Sequence, residues 1–97
     1  SKIFKIFNHK KLKNLFKNEN KIYNEKEILN PKGKILRPDK IIFLKNKTVI
    51  VDFKSGKFRN DHIIQMKEYE ESLKKMNYNK IEKILIYIND SIDIKMV

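Results

Sequence analysis

The sequence has no cysteine, so disulfides and thiolate metal sites are excluded. Any metal would have to be held by oxygen or imidazole, which favours Mg²⁺ or Mn²⁺ over structural zinc. No apolar run approaches the roughly 20 residues that span a bilayer, and no signal-peptide pattern opens the chain. The chain therefore reads as a soluble cytoplasmic protein with no membrane partner. Glycine and proline number two each, no Pro/Gly/Ser-rich linker divides the sequence, and no internal repeat is visible. Residues 1–97 are expected to form one domain around one modest core.

Arginine is nearly absent as well, occurring only at Arg37 and Arg59, while Lys, Ile and Asn fill about half the chain. The formal net charge is +11, and residues 1–34 carry ten Lys against three Glu. Such a balance invites a polyanionic partner. It is equally what an AT-rich genome writes wherever a solvated cation will serve, so charge alone does not decide the matter.

Residues 3–18 contain Leu12, Leu15 and Phe16 at helical spacing among lysines, and Ile3–Phe7 reads as helix or strand. Lys21–Leu29 predicts a first strand, Asn30-Pro31-Lys32-Gly33 a turn, Lys34–Leu44 a second strand, and Lys45-Asn46-Lys47 a tight reversal. Thr48–Lys54, rich in β-branched residues, predicts the third strand of an antiparallel meander. Asn60 or Asp61 would cap a helix running to about Met76, with Met66, Tyr69, Leu73 and Met76 along one side. Ile81–Ile88 predicts a strand covered on both faces, and Ser91–Val97 a short last one. The expected fold class is α/β: a mixed sheet with helices against it, in the order αβββαβ.

The sharpest chemistry lies in two strings thirteen positions apart: Arg37-Pro38-Asp39, then Ile50-Val51-Asp52-Phe53-Lys54-Ser55-Gly56. Alternation along the third strand puts Ile50, Asp52 and Lys54 on one face and Val49, Val51 and Phe53 on the other. The hairpin would bring Asp39 alongside. Two carboxylates can hold a hard divalent cation, and a lysine can stabilise phosphate charge or position water. The plain alternative is a surface ion pair between Asp52 and Lys54. Gln65 and Tyr69 fall on one side of the following helix; alone, they read as a helix former and a core aromatic.

Asn24-Glu25-Lys26-Glu27-Ile28-Leu29, Gly33, Arg37-Pro38-Asp39, the Asp52 strand, Gln65 and Tyr69 together resemble the PD-(D/E)xK nucleases of the RecB type. The likeness covers about residues 22 to 97 and is greatest to the module at the C-terminus of UvrD/RecB-like helicases. It implies a restriction-endonuclease-like core and a Mg²⁺- or Mn²⁺-dependent deoxyribonuclease, coupled to a helicase in DNA repair or recombination. It also implies that the chain is a fragment or C-terminal domain of a larger helicase-nuclease. Asp39 and Asp52 would be the metal carboxylates, with the Phe53 backbone carbonyl as a further ligand. Lys54 would be the catalytic lysine. Glu25 would be the glutamate of the first strand, with Glu27 as alternative. Gln65, Tyr69 and Arg37 would support the site and contact DNA.

RecB-type enzymes usually add a His from an N-terminal helix, and His9 is the only upstream candidate here. Against the match, it reads as an exposed residue in a basic segment. His62 lies near the start of the second helix, where it could approach phosphate, cap the helix or sit on the surface. A degenerate nuclease fold that only binds DNA is the rival from another class. A small basic RNA- or ribosome-associated protein is a third, disfavoured because the aromatics are dispersed along the sequence with no stacking platform.

Overall fold

The computed structural model describes residues 21–30 and 32–97. The first helix expected around Leu12–Phe16 and the candidate His9 lie outside them. Seven strands and one helix are formed by the described residues: β1 (Lys21–Asn24), β2 (Ile28–Leu29), β3 (Ile35–Leu36), β4 (Lys40–Phe43), β5 (Thr48–Lys54), α1 (Asn60–Lys75), β6 (Ile81–Ile88) and β7 (Ile92–Met96). They build a mixed α+β fold. A five-stranded sheet runs β1-β4-β5-β6-β7, and β2 and β3 form a separate hairpin.

The meander expected from the sequence is present, since β1 pairs antiparallel with β4 and β4 with β5. The helix carries the chain across to β6, which lies parallel to β5 from Thr48↔Ile81 to Lys54↔Tyr87. A parallel neighbour needs such a crossover. β7 closes the sheet antiparallel to β6.

Two expected strands are each broken in two. Lys21–Leu29 is interrupted at Glu25, whose φ of 49° lies in the left-handed region that an extended strand cannot accommodate. Lys34–Leu44 is interrupted at Arg37-Pro38-Asp39, where Pro38 has no N–H to continue a ladder. The turn between β2 and β3 is held by Asn30 Oδ1, which accepts from the Lys32 and Lys34 amides at 3.0 and 2.8 Å.

The helix cap falls one residue before Asn60 and two before Asp61, the two expected positions. Arg59 occupies the cap position without a side-chain hydrogen bond, and Asn60 is already helical. At the other end Asn77 takes φ 71°, its amide donating to Lys74 O and that of Tyr78 to Leu73 O. This is the left-handed termination in which two amides turn back onto the last carbonyls.

The helix buries Met66, Tyr69, Ser72 and Leu73. Met66, Tyr69 and Leu73 pack with Ile41, Ile50, Leu85 and Tyr87 on one face of the sheet and with Ile28 and Leu36 of the β2–β3 hairpin. Burying each large aliphatic there contributes about 1.5–3 kcal/mol. The opposite face gathers Ile42, Val49, Val51, Ile84 and Ile86, also buried. The alternation expected for β5 therefore holds: Ile50, Asp52 and Lys54 are on the side that the helix covers.

Candidate functional site

The site forms where β4 and β5 part. Their ladder begins at Lys40↔Val51, and the next step outward would pair Asp39 with Asp52. Side chains take over the pairing there. The Asp39 amide donates to Asp52 Oδ1 at 2.8 Å, and the Phe53 amide donates to Asp39 Oδ2 at 2.8 Å. Each aspartate thus satisfies a backbone N–H that the diverging strands would otherwise leave unpaired. Pro38, fully buried beside them, cannot donate, so the chain is forced away at this point.

Asp52 is 3% exposed. Burial pushes its carboxyl up from the ordinary range, and the neighbouring charge of Asp39 adds to the rise. The Asp39 amide and the Lys54 ammonium oppose it. Lys54 Nζ lies 3.3 Å from Asp52 Oδ2 and donates to Gln65 Oε1 at 2.6 Å. The lysine is therefore held between a strand carboxylate and a helix amide, a placement set by tertiary packing. Tyr69, one turn after Gln65, directs its hydroxyl at Asp52 Oδ2 over 3.5 Å. Burial and the charges of Asp52 and Asp39 hold its phenol well above the usual range, so the group stays protonated.

Five of the residues expected from the sequence are thus brought together: Asp39, Asp52, Lys54, Gln65 and Tyr69. The Phe53 carbonyl opens to the same gap, since the N–H and C=O of a strand residue project to one edge and its N–H is held by Asp39. Two others stand apart. Arg37 pairs with Glu27 at 3.0 Å, with both side chains more than half exposed. Glu25 is not in a strand. Its backbone amide donates to Asp39 O at 2.9 Å, but its side chain is exposed. Among the described residues no three His, Cys, Asp or Glu side chains gather closely enough to share a metal, so neither Glu25 nor Glu27 joins the aspartate pair.

The donor set nevertheless suits a hard cation. Mg²⁺ is commonly bound through one or two carboxylates together with water and substrate phosphate. Asp52 is raised chiefly by burial and further by the Asp39 charge, so a divalent ion there would favour its charged form and offset the repulsion between the pair.

Sequence reasoning missed Tyr87. It sits within the apolar run Ile84–Ile88 and reads there as one more core residue. Parallel pairing sets it opposite Lys54, and its hydroxyl meets His62 Nδ1 at 2.7 Å. Lys54 and Tyr87 stand at the carboxyl ends of parallel strands, where open α/β sheets place their ligands. The one available signal was a hydroxyl-bearing ring in an otherwise aliphatic strand. The loop leaving Lys54 is also anchored: Gly56 N donates to Asn89 Oδ1, and Asn89 Nδ2 donates to Gly56 O, both at 2.9 Å. Gly56 has φ +79° with open space around it, so the glycine is required by conformation and not by crowding.

Among the described residues no helix is long and apolar enough to cross a membrane. No family model matches the chain. No curated protein matches it either. Among solved structures, the crystal structure of SSO0001 is similar, with a TM-score of 0.56 and 22% identity. The match covers 99% of this chain and 51% of that one, so this chain spans about half the length of that protein. At that identity the likeness is one of fold.

Proposed function

We propose that the chain is a restriction-endonuclease-like nuclease domain of the PD-(D/E)xK type, hydrolysing DNA phosphodiester bonds with Mg²⁺ or Mn²⁺. The observation that carries the reading is the joint placement of Asp39, Asp52 and Lys54 at the divergence of β4 and β5, with Lys54 held at 3.3 Å from Asp52 and 2.6 Å from Gln65. Asp39, Asp52 and the Phe53 carbonyl would hold the metal. When bound, it supplies positive charge at the scissile phosphate.

The protein's own contribution is orientation. Lys54 presents an ammonium whose geometry is fixed before substrate arrives, which is the arrangement that stabilises charge developing on phosphate oxygens. The same ammonium can orient the attacking water. As the water oxygen bonds to phosphorus it gives up a proton to solvent, while the ester P–O bond breaks and the leaving oxygen takes up a proton from solvent. Gln65 is a positioning residue, acting through Lys54. A helicase in cis or in trans, supplying the strand in repair or recombination, is the partner that the sequence resemblance implies.

One observation favours a second reading. Only two acidic side chains converge among the described residues, which also suits a degenerate nuclease fold that binds DNA without cutting it.

Cleavage of labelled single- and double-stranded DNA with Mn²⁺, Mg²⁺ or EDTA separates the two. Metal-dependent cutting is expected, with a fall of at least about a hundredfold in Lys54→Ala, the scale on which a fixed charge-stabilising donor contributes. DNA binding without cutting at any metal concentration would favour the degenerate module. Cutting that survives in Lys54→Ala would overturn the site assignment.

A further inference from the structure

The helix-side face of the sheet carries a second concave feature, away from the aspartates. Where β1, the β4–β5 turn and the C-terminal end of α1 meet lies a groove of about 600 Å³. Its walls include Tyr23, Phe43 and Tyr78, whereas Asp39, Asp52, Lys54, Gln65 and Tyr69 take no part. Pairing explains how the rings meet. Tyr23 stands opposite Ile41 in the β1–β4 ladder, and Phe43 follows Ile41 by two residues on the same face. The Tyr23 and Phe43 rings contact edge to face with centroids 5.5 Å apart, and Phe43 lies 4.8 Å from Tyr78. Residues 23, 43 and 78, scattered in the sequence, form a continuous aromatic row.

The charges around the row are one-sided. Among the described residues lining the groove, Lys21, Lys26, Lys45 and Lys47 are cationic and Glu27 alone is acidic. Glu27 is engaged by Arg37, and Lys47 by Glu82. The Lys26 ammonium lies 5.8 Å from the centre of the Tyr23 ring, and Tyr23 itself is 42% exposed. A neutral apolar ligand would leave these cations unused. A flexible polyanion bearing flat rings uses both features, because any base can stack on an aromatic side chain while its phosphates meet ammonium groups.

We infer that this groove binds a segment of single-stranded nucleic acid, stacking a base on the Tyr23–Phe43–Tyr78 row with phosphates on Lys21, Lys26 and Lys45. Lys26 stands over Tyr23 where the base would come, and its long exposed side chain can yield the ring and take a phosphate. Phe43 is four residues from Asp39 in the β4 register, about 13 Å at the rise of a strand. The groove thus lies outside the carboxylate centre. Its test reads binding without cleavage, so this inference and the proposed activity fail separately.

The test uses the 97-residue chain in EDTA. Fluorescence anisotropy would compare single-stranded oligo-dT, oligo-rU and an abasic backbone of equal length and charge. Stacking requires the abasic strand to bind about tenfold more weakly than oligo-dT. Tyr23→Ala should weaken oligo-dT binding about five- to tenfold and leave abasic binding unchanged. Tyr23→Leu, which keeps apolar bulk in place of the ring, should behave likewise. Lys26→Gln should weaken both strands. Equal affinity for oligo-dT and the abasic strand would overturn the inference, as would an unchanged ratio in both Tyr23 variants or tighter binding of duplex than of either single strand. Comparable binding of oligo-rU would support a groove indifferent to the sugar.

Discussion

The two ends of the helix-side face of β4 have opposite character, although one short strand separates them. At the Asp39 end, the carboxylates are locked into backbone hydrogen bonds, Asp52 is buried, and Lys54 is held from two sides. At the Phe43 end, the rings lean on one another and Tyr23 remains 42% exposed beneath a mobile type of side chain, a lysine. Between them lie Ile41 and Ile50, paired across the ladder and 2% and 0% exposed. The first end is built to hold charge in a fixed place and the second to accept a flat group in several ways. An aliphatic layer in the middle lets one face carry both, because it excludes water between them and supplies the packing that keeps the helix in place.

Asp52→Asn is the strongest test of the division. The amide retains an oxygen to accept the Asp39 N–H but removes the charge that Asp39 opposes. Cleavage should fall by at least about a hundredfold, and any metal-induced rise in unfolding temperature should vanish. The metal-free variant should unfold a few degrees higher than the parent, as about 1 kcal/mol from no longer burying a charge beside Asp39 would give. Its preference for oligo-dT over the abasic strand should persist, and loss of that preference would join the two ends into one site.

Next in size is Ile50→Ala, which empties the insulating layer. A cost of about 2–4 kcal/mol in urea unfolding is expected for a fully buried isoleucine. A cost below about 1 kcal/mol would mean that the middle of the strand is not what separates the ends.

The smallest effect concerns the clamp between α1 and β6. Glu70 accepts from Lys83 at 2.8 Å, and that hydrogen bond holds its carboxyl below the usual value of 4.5. A depressed carboxyl contributes stability that is present above the unfolded value and lost as pH falls through the folded one. Glu70→Gln should therefore cost up to about 1 kcal/mol at pH 7. The difference between variant and parent should shrink once the pH drops below 4.5. A gap unchanged at pH 3 would show that the pair acts by shape and not by charge.

Much of the framework was readable in the chain. Thr48–Lys54 and Ile81–Ile88 are strands over their full expected lengths because β-branched residues and a continuous apolar run are local signals. The shared face of Asp52 and Lys54 follows from the two-residue period alone, as does that of Gln65 and Tyr69 from helical spacing. The expected strands run unbroken through Glu25 and through Arg37-Pro38-Asp39, where the chain in fact breaks. A non-glycine residue with positive φ has no sequence mark, whereas Pro38, which lacks an N–H, is a visible signal for the second break. Glu25 consequently turns its backbone, not its carboxylate, toward Asp39.

The order of residues alone dictates what is periodic: which side chains share a face, where helix and turns fall, and which residue types can do chemistry with oxygen ligands and no thiol. Those are properties of neighbours a few residues apart. Which distant groups meet is the work of tertiary packing. It set Asp39 against Asp52 through the end of a ladder, Lys54 against Gln65 across the sheet–helix interface, Tyr87 against His62, and three scattered aromatics in one row. Such meetings depend on strand register and on where a ladder stops. Register is chosen by the packing of the whole core, so no local pattern states it.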